Sequence, residues 1–336
     1  MERKEKRNNY LDIAKGIAII SIIIGHLDIE IVNRIVFTYH IPVFLLITGY
    51  FISEKRSVKE FALNRFKTLM IPYAVTCMVI ILLGTAEGFF IGNPLEMLKR
   101  WVMASAYGSG GTYYEPFMIY QIGAIWYLPA SYVAGLILRF SLKYSYRVRI
   151  CIIGMAFAVG CLSSKYLFWF PMSIQAGLCC VVFMYIGWNF RNLKYTEISK
   201  EIKMLVIVVS IIAWISFIVQ FQGFYLVNNY YGRGTVDFFS SICASVVIVF
   251  LSYLINRKSG LCRNVLLFAG RYSLLILCVH IVELNLVPWK AIIMCSLGTS
   301  DLQSGIILAF LKPVVILVMV AILSRIGIVR KVYGYE

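Results

Sequence analysis

Apolar runs of about twenty residues recur along the whole chain, separated by short polar stretches. Each is long enough for an α-helix to cross the ~30 Å hydrocarbon core of a bilayer. The pattern predicts spans near residues 10–28, 33–52, 69–91, 121–140, 149–164, 171–190, 204–222, 236–255, 264–287 and 306–325, the fifth being the weakest. About ten transmembrane helices are therefore expected, in an all-α polytopic membrane protein. No low-complexity linker and no internal repeat divides the chain, so residues 1–336 read as a single membrane domain.

Hydrophobic residues make up 60% of the 336 and charged residues 14%, which agrees with that class. Charge then orients it. Sorting the Lys and Arg residues by the span map leaves Arg34, Lys99, Arg100, Lys165, Arg233 and Lys290 on one side, and Lys15, Arg271 and Lys312 within spans. All the others gather on the opposite side, among them Arg3, Lys4, Lys6 and Arg7 before the first span and Lys194 after the sixth. The positive-inside rule puts this basic side, and with it both termini, in the cytoplasm, as expected for a multi-pass protein of the inner cell membrane. The net charge of +16 is then a topology signal and an attraction to anionic membrane lipids, with no nucleic-acid partner implied.

The first run reads as a retained helix rather than a cleaved leader, because Asp12 and Lys15 interrupt it and no clear small-residue cleavage site follows. The nine cysteines fall nearly all in spans or on the basic side and read as small packing residues, with no disulfide framework and no metal-ligand spacing. Two connections on the far side are richer. One, near residues 92–120, carries Ser109-Gly110-Gly111-Thr112-Tyr113-Tyr114-Glu115; the other, Gln222 to Asp237, carries Asn228-Asn229-Tyr230-Tyr231-Gly232-Arg233. Tyrosine rings stack on sugar faces and amides pair with hydroxyls, although an interfacial aromatic belt uses the same residues.

Lys15 and His26 are the first candidates for chemistry. Eleven helical residues turn through about 1100° and rise roughly 16 Å, so a cation and a titratable base share one face of the first span. Ionisable groups inside a bilayer are expensive and read by default as functional. The alternatives are that Lys15 snorkels to the headgroups, with Asp12 placed to pair with it, and that His26 only satisfies a polar neighbour.

Tyr10-Leu11-Asp12-Ile13-Ala14-Lys15-Gly16, Gly25-His26, the stretch from Tyr39-His40-Ile41-Pro42 to Thr48-Gly49-Tyr50, and Asn64-Arg65-Phe66 leading to Pro72-Tyr73 resemble the acyltransferase 3 family of integral membrane O-acyltransferases. Ile125-Trp126-Tyr127-Leu128-Pro129 and Arg271-Tyr272-Ser273-Leu274 with His280 resemble later signatures of that family. The opening is most similar to the branch of fucose acetylase-like and surface-polysaccharide acetyltransferases. The resemblance implies a polytopic helical bundle that moves an acyl group, often acetyl, from cytoplasmic acyl-CoA to a sugar hydroxyl of an envelope or secreted polysaccharide, or of its lipid-linked precursor.

Carried over by position, His26 matches the family's first-helix histidine, and Lys15 stands where arginine is commoner. A point charge thus replaces a planar fork. Arg65 resembles a third-helix arginine, a second contact for CoA phosphates, and Arg271 begins a family-like motif.

His26 can act as general base, with Lys15 at the mouth for donor phosphates. Pro42 should break the second span near Thr38 and leave His40, Tyr39 and Thr48 along a cavity, His40 being a second catalytic candidate. Trp126 and Tyr127 could stack an acceptor sugar, and Glu115 could polarise its hydroxyl. His280 and Glu283, three residues apart, form an internal pair or reach the reaction centre; packing and pairing is the expectation for Glu283. No nucleophile elbow, P-loop, dinucleotide fingerprint or His-Glu-x-x-His motif is present, and no metal is required. Direct transfer is the simpler mechanism, with an acyl-histidine relay still open. Two other classes fit the same intramembrane charges: a transporter of a glycan or small solute, and a ligand-binding sensor.

Overall fold

The computed structural model describes residues 8–115, 117–193 and 198–335. Arg3, Lys4, Lys6, Arg7 and Lys194, assigned above to the basic side, lie outside the described residues. In chain order the helices are α1 (Asn9–Gly25), α2 (Glu30–Val36), α3 (His40–Tyr50), α4 (Val58–Arg65), α5 (Ile71–Phe90), α6 (Pro94–Tyr107), α7 (Tyr127–Ser141) and α8 (Tyr146–Tyr166). They continue as α9 (Ile174–Asn192), α10 (Lys200–Val219), α11 (Thr235–Asn256), α12 (Leu261–Arg271), α13 (Ser273–Leu286), α14 (Trp289–Leu297), α15 (Asp301–Leu323) and α16 (Gly327–Tyr333). Among the described residues the only strands are β1 (Phe224–Tyr225) and β2 (Tyr230–Tyr231), a short antiparallel ribbon in which Phe224 faces Tyr231.

Among the described residues seven helical stretches are long and apolar enough to cross a membrane: Glu30–Tyr50, Val58–Phe90, Tyr146–Tyr166, Pro171–Asn192, Lys200–Val219, Thr235–Asn256 and Asp301–Leu323. The α12–α13 pair, bent by 80°, makes an eighth if it is one broken span. Two of the expected spans are helical but shorter. α1 has 17 residues, ending at Gly25 with His26 as its C-cap, and the chain turns left-handed at Asp28 just beyond it. α7 has 15 because Gly123, at φ 92°, starts a separate 3-10 turn over Ala124–Trp126 before the α-helix begins. The count of about ten is thus approximate.

The outer helices show their apolar side chains. On α10 only Ser210 and Phe217 are buried, while Met204, Leu205, Ile212 and Val219 are exposed. Phe310, Val314 and Ile322 of α15 are likewise exposed. An apolar surface of this kind is what lipid tails solvate.

At the centre α1 packs along α12, α11 and α3, and α3 in turn packs along α9. Helices in lipid gain little from hydrophobic exclusion, so they associate where small residues let backbones touch. A Cβ at Gly16 would collide with the Leu266 carbonyl, and one at Gly270 with the Asp12 carbonyl. Gly49 against Met184, and Gly187 against Leu46, repeat the arrangement between α3 and α9. On the basic side, Ser57 and Glu60 form a capping box that starts α4, and buried Arg139 donates to the carbonyls of Glu54 and Arg56. All nine cysteines are free thiols.

Gly270→Ala should therefore destabilise the bundle by about 3 kcal/mol, the upper range for overpacking, because its new methyl meets backbone rather than a movable side chain. Gly154→Ala, whose Cβ would meet nothing within 4 Å, should be neutral or gain about 0.5 kcal/mol. Thermal midpoints of the two solubilised variants beside the wild type measure the difference.

Candidate active site

Two polar constellations lie at opposite ends of α1, separated by about 16 Å of helix. At the first end Asp12 is buried, and its carboxylate holds Lys15 Nζ at 2.7 Å. Arg271, the last residue of α12, approaches the same carboxylate at 3.9 Å and donates to Asn9 Oδ1 at 3.2 Å. The Gly16–Gly270 contact brings this arginine to α1. Both cations keep part of their surface open, so a fixed negative charge holds two positive ones at the rim of the bundle.

At the other end His26 caps α1. Its Nδ1 lies 2.7 Å from the carbonyl oxygen of Ile22. A carbonyl only accepts, so Nδ1 carries the hydrogen and the lone pair of the neutral ring belongs to Nε2. Behind it stands His280 of α13, fully buried, with Nε2 at 3.3 Å from His26 Nδ1 and the ring centroids 5.1 Å apart. His280 Nδ1 donates to Glu283 Oε1 at 2.8 Å, which leaves its Nε2 to share the His26 hydrogen with Ile22. Glu283 also receives Lys312 Nζ of α15 at 3.1 Å and the indole N–H of Trp289 at the start of α14. One connected set of polar side chains therefore runs through α15, α14, α13 and α1.

His26 borders two hollows. The larger, about 510 Å³, is walled by the break between α2 and α3, the α6–α7 connection, the β1–β2 ribbon and the end of α13. Its polar lining includes His40, Gln121, Asn228 and Asn285, and its aromatic rings are Phe37, Trp126, Phe224 and Tyr225. The smaller, about 260 Å³, lies toward Leu27, Trp289, Lys290 and Lys312.

The break that admits the larger hollow has the expected cause. Pro42 has no N–H for the Thr38 carbonyl, and the helix stops over residues 37–39. Thr38 Oγ1 donates to the Ile35 carbonyl and accepts from Trp214 Nε1, and His40 Nδ1 donates to the Val36 carbonyl at 2.6 Å. Glycine opens the opposite wall, since a Cβ at Gly110 would strike the Trp126 ring and Val227.

His26, His40 and Trp126 thus meet in one cavity, and Lys15 and Arg271 meet at the far end of α1. Tyr127 stands outside the cavity lining, with its hydroxyl on Thr48 Oγ1 at 3.3 Å and its ring against Phe44. Arg65 ends α4 with its guanidinium 5.5 Å from the Phe61 ring centroid, apart from both constellations. Glu115 is exposed in the α6–α7 connection and lines neither hollow. Of the tyrosine–asparagine run, Asn228 lines the cavity, whereas Asn229 anchors the loop to Ser164 Oγ and the Gln175 carbonyl.

Lys312, Trp289, Gln121, Asn285 and Asp28 were not singled out as site residues from sequence. For Lys312 the available signal was a lysine inside an apolar run. Among the described residues no group of three or more His, Cys, Asp or Glu is placed to hold a metal ion.

A family model for acyltransferase 3, described as an acyltransferase domain, matches residues 8–326. No curated protein and no solved structure matches the chain.

Glu283 and Lys312 form a pair in which each charge depends on the other. Lys312→Met, which strands the carboxylate, should cost about 3 kcal/mol, the lower range for breaking a buried pair. Adding Glu283→Gln removes the stranded charge and should restore part of that loss. A double-mutant cycle on thermal unfolding of the solubilised protein reads the coupling.

Proposed function

The chain belongs to the acyltransferase 3 family of membrane acyltransferases, and from that premise we propose that it transfers an acyl group, acetyl first among them, from acyl-CoA to a sugar hydroxyl. The acceptor is an envelope or secreted polysaccharide or its lipid-linked precursor, and the enzyme works in the inner cell membrane. One observation carries the reading: the Ile22 carbonyl holds the Nδ1 hydrogen of His26, so the lone pair of Nε2 is free at the wall of a 510 Å³ cavity rich in amides and rings.

In this reading His26 Nε2 takes the proton of the acceptor hydroxyl as its oxygen attacks the thioester carbonyl. The tetrahedral intermediate collapses, the C–S bond breaks, and the CoA thiolate leaves with the proton that His26 held. The imidazolium formed on the way is stabilised through Nδ1–H by the Ile22 carbonyl and by His280, whose positive polarisation Glu283 offsets. Lys312 and Trp289 hold Glu283 in place.

The donor reaches the site from the basic side. Lys15 and Arg271 meet its phosphates, with Arg65 as a further cation on that side, and the extended pantetheine arm spans the roughly 16 Å to His26. Arg271 restores the planar guanidinium that lysine at position 15 lacks. The acceptor comes from the opposite side, where the α6–α7 connection and the β1–β2 ribbon form the cavity wall.

Transfer of labelled acetyl from acetyl-CoA to envelope glycan, in membranes matched for folded protein, tests this. His26→Ala should lower the rate by about 10²- to 10⁴-fold, the usual contribution of general-base catalysis. Lys15→Ala should raise the acetyl-CoA concentration needed about ten-fold, equivalent to ~1.4 kcal/mol of binding. Undiminished transfer by His26→Ala overturns the base assignment. A wild-type chain that transfers no acyl group to a competent glycan pool, whatever the donor, points to transport.

A further inference from the structure

Two residues beyond His26 stands a carboxylate that the reaction above does not use. Asp28 is exposed and borders both hollows that meet at His26, and among the described residues it is the only Asp or Glu in either lining. Its φ of 56° is left-handed, a conformation that glycine takes freely and that aspartate and asparagine adopt more readily than most other residues.

The ordinary structural uses of an aspartate at such a turn are all unfilled. Ile29, not Asp28, occupies the N-cap of α2, and no side chain caps that helix. No hydrogen bond or ion pair of the Asp28 carboxylate occurs among the described residues. The lysines of the smaller hollow are engaged elsewhere, Lys290 with Asp301 and Lys312 with Glu283. A carboxylate that borders both hollows beside His26, with no protein partner among the described residues, is placed to take hydrogen bonds from a ligand.

We propose that Asp28 binds the acceptor, its two carboxylate oxygens receiving hydrogen bonds from adjacent hydroxyls of a neutral, polyhydroxylated sugar while the hydroxyl to be acylated lies at His26 Nε2. This rests on the acyl-transfer reading and narrows it. A carboxylate accepts two donors side by side, which suits a vicinal diol. It repels a second carboxylate, so uronic and other acidic sugars are disfavoured. The remaining polar lining of the larger hollow is His40 and the uncharged amides Gln121, Asn228 and Asn285, with no Lys or Arg to offset that repulsion. Trp126 and Tyr225 give the sugar its apolar faces to pack on.

The test uses wild type, Asp28→Asn and Asp28→Gly in membranes, with labelled acetyl-CoA and endogenous glycans separated by anion exchange into neutral and acidic pools. Asparagine keeps the shape and tolerates the left-handed backbone, and glycine removes the strain, so both variants should fold. The wild type should acylate the neutral pool in preference to the acidic one. Each variant should need roughly ten- to a hundred-fold more neutral glycan for half-maximal rate, at unchanged acetyl-CoA requirement, the scale of hydrogen bonds to a charged group. Asp28→Asn should also narrow the preference against the acidic pool.

A variant that matches the wild type in acceptor requirement overturns the assignment. So does a wild-type preference for the acidic pool, or a fall in maximal rate at unchanged acceptor requirement, which would mean that Asp28 acts on His26 instead. A wild-type chain that acylates neither pool overturns the acyl-transfer reading itself, and this inference with it.

Discussion

A carboxylate taken out of water is tolerated only when its oxygens are filled and its charge is met, and Glu283 meets that requirement with groups from three directions. His280 donates from the same helix, Lys312 from α15 and the Trp289 indole from the start of α14. Moving α15 would strand the Lys312 charge, and moving α14 would take the Trp289 N–H from the carboxylate, in a medium that supplies no replacement. Glu283 therefore ties α13, α14 and α15 together. Because His280 also touches His26, the same constraint sets the position of the proposed base on α1.

The other end of α1 is placed by sterics. Gly16 and Gly270 let the backbones of α1 and α12 touch, and the chain then bends by 80° between α12 and α13. That bend has two consequences: it puts Arg271 beside Asp12 and Lys15, and it turns α13 so that His280 lies behind His26. Anchored in this way at both ends, α1 serves as a spacer between a cationic rim and a cavity. Its 17 residues correspond to a length of about 25 Å. A helix does not stretch, so a donor bound at one end meets the proposed base only if its reactive group lies at a fixed distance from its charged one, which is how an acyl-CoA is built.

The cavity itself is made where regular structure fails. Pro42 ends the hydrogen-bond ladder between α2 and α3, Gly123 turns the chain before α7, and Asp28 turns it after α1. Each interruption exposes backbone or side-chain polar groups at the same end of the bundle. Irregular backbone at membrane depth persists where it lines a cavity, and here three such breaks meet around one.

Much of this was legible without coordinates because it depends on local spacing. Runs of about twenty apolar residues mean spans; the distribution of Lys and Arg sets their expected direction; eleven residues on one helix put Lys15 and His26 on one face; Pro42 marks a break. The His280–Glu283 pair was visible at its spacing of three, although its place behind His26 was not. Other features depend on contacts between residues far apart in the chain, for which a single sequence carries no signal. His26 and His280 are 254 positions apart, and Arg271 reaches Asn9 across 262. Lys312 was readable as a lysine in an apolar run, but its partner was not. Asp28 carries no such signal in the sequence, and its left-handed backbone and its place beside His26 belong to the folded chain. Conversely Glu115 and Tyr127, near in sequence to Trp126, stand outside the cavity lining because the turn at Gly123 and the packing of Tyr127 on Thr48 and Phe44 direct them elsewhere. Sequence alone determined that the chain is a polytopic helical membrane protein and where charges fall along its apolar runs, because a helix's period and hydropathy are properties of neighbouring residues, while the count of about ten spans stayed approximate. Only the tertiary structure decided which charged faces meet, because that follows from how glycine contacts, a bend and a buried carboxylate constrain separate helices at once.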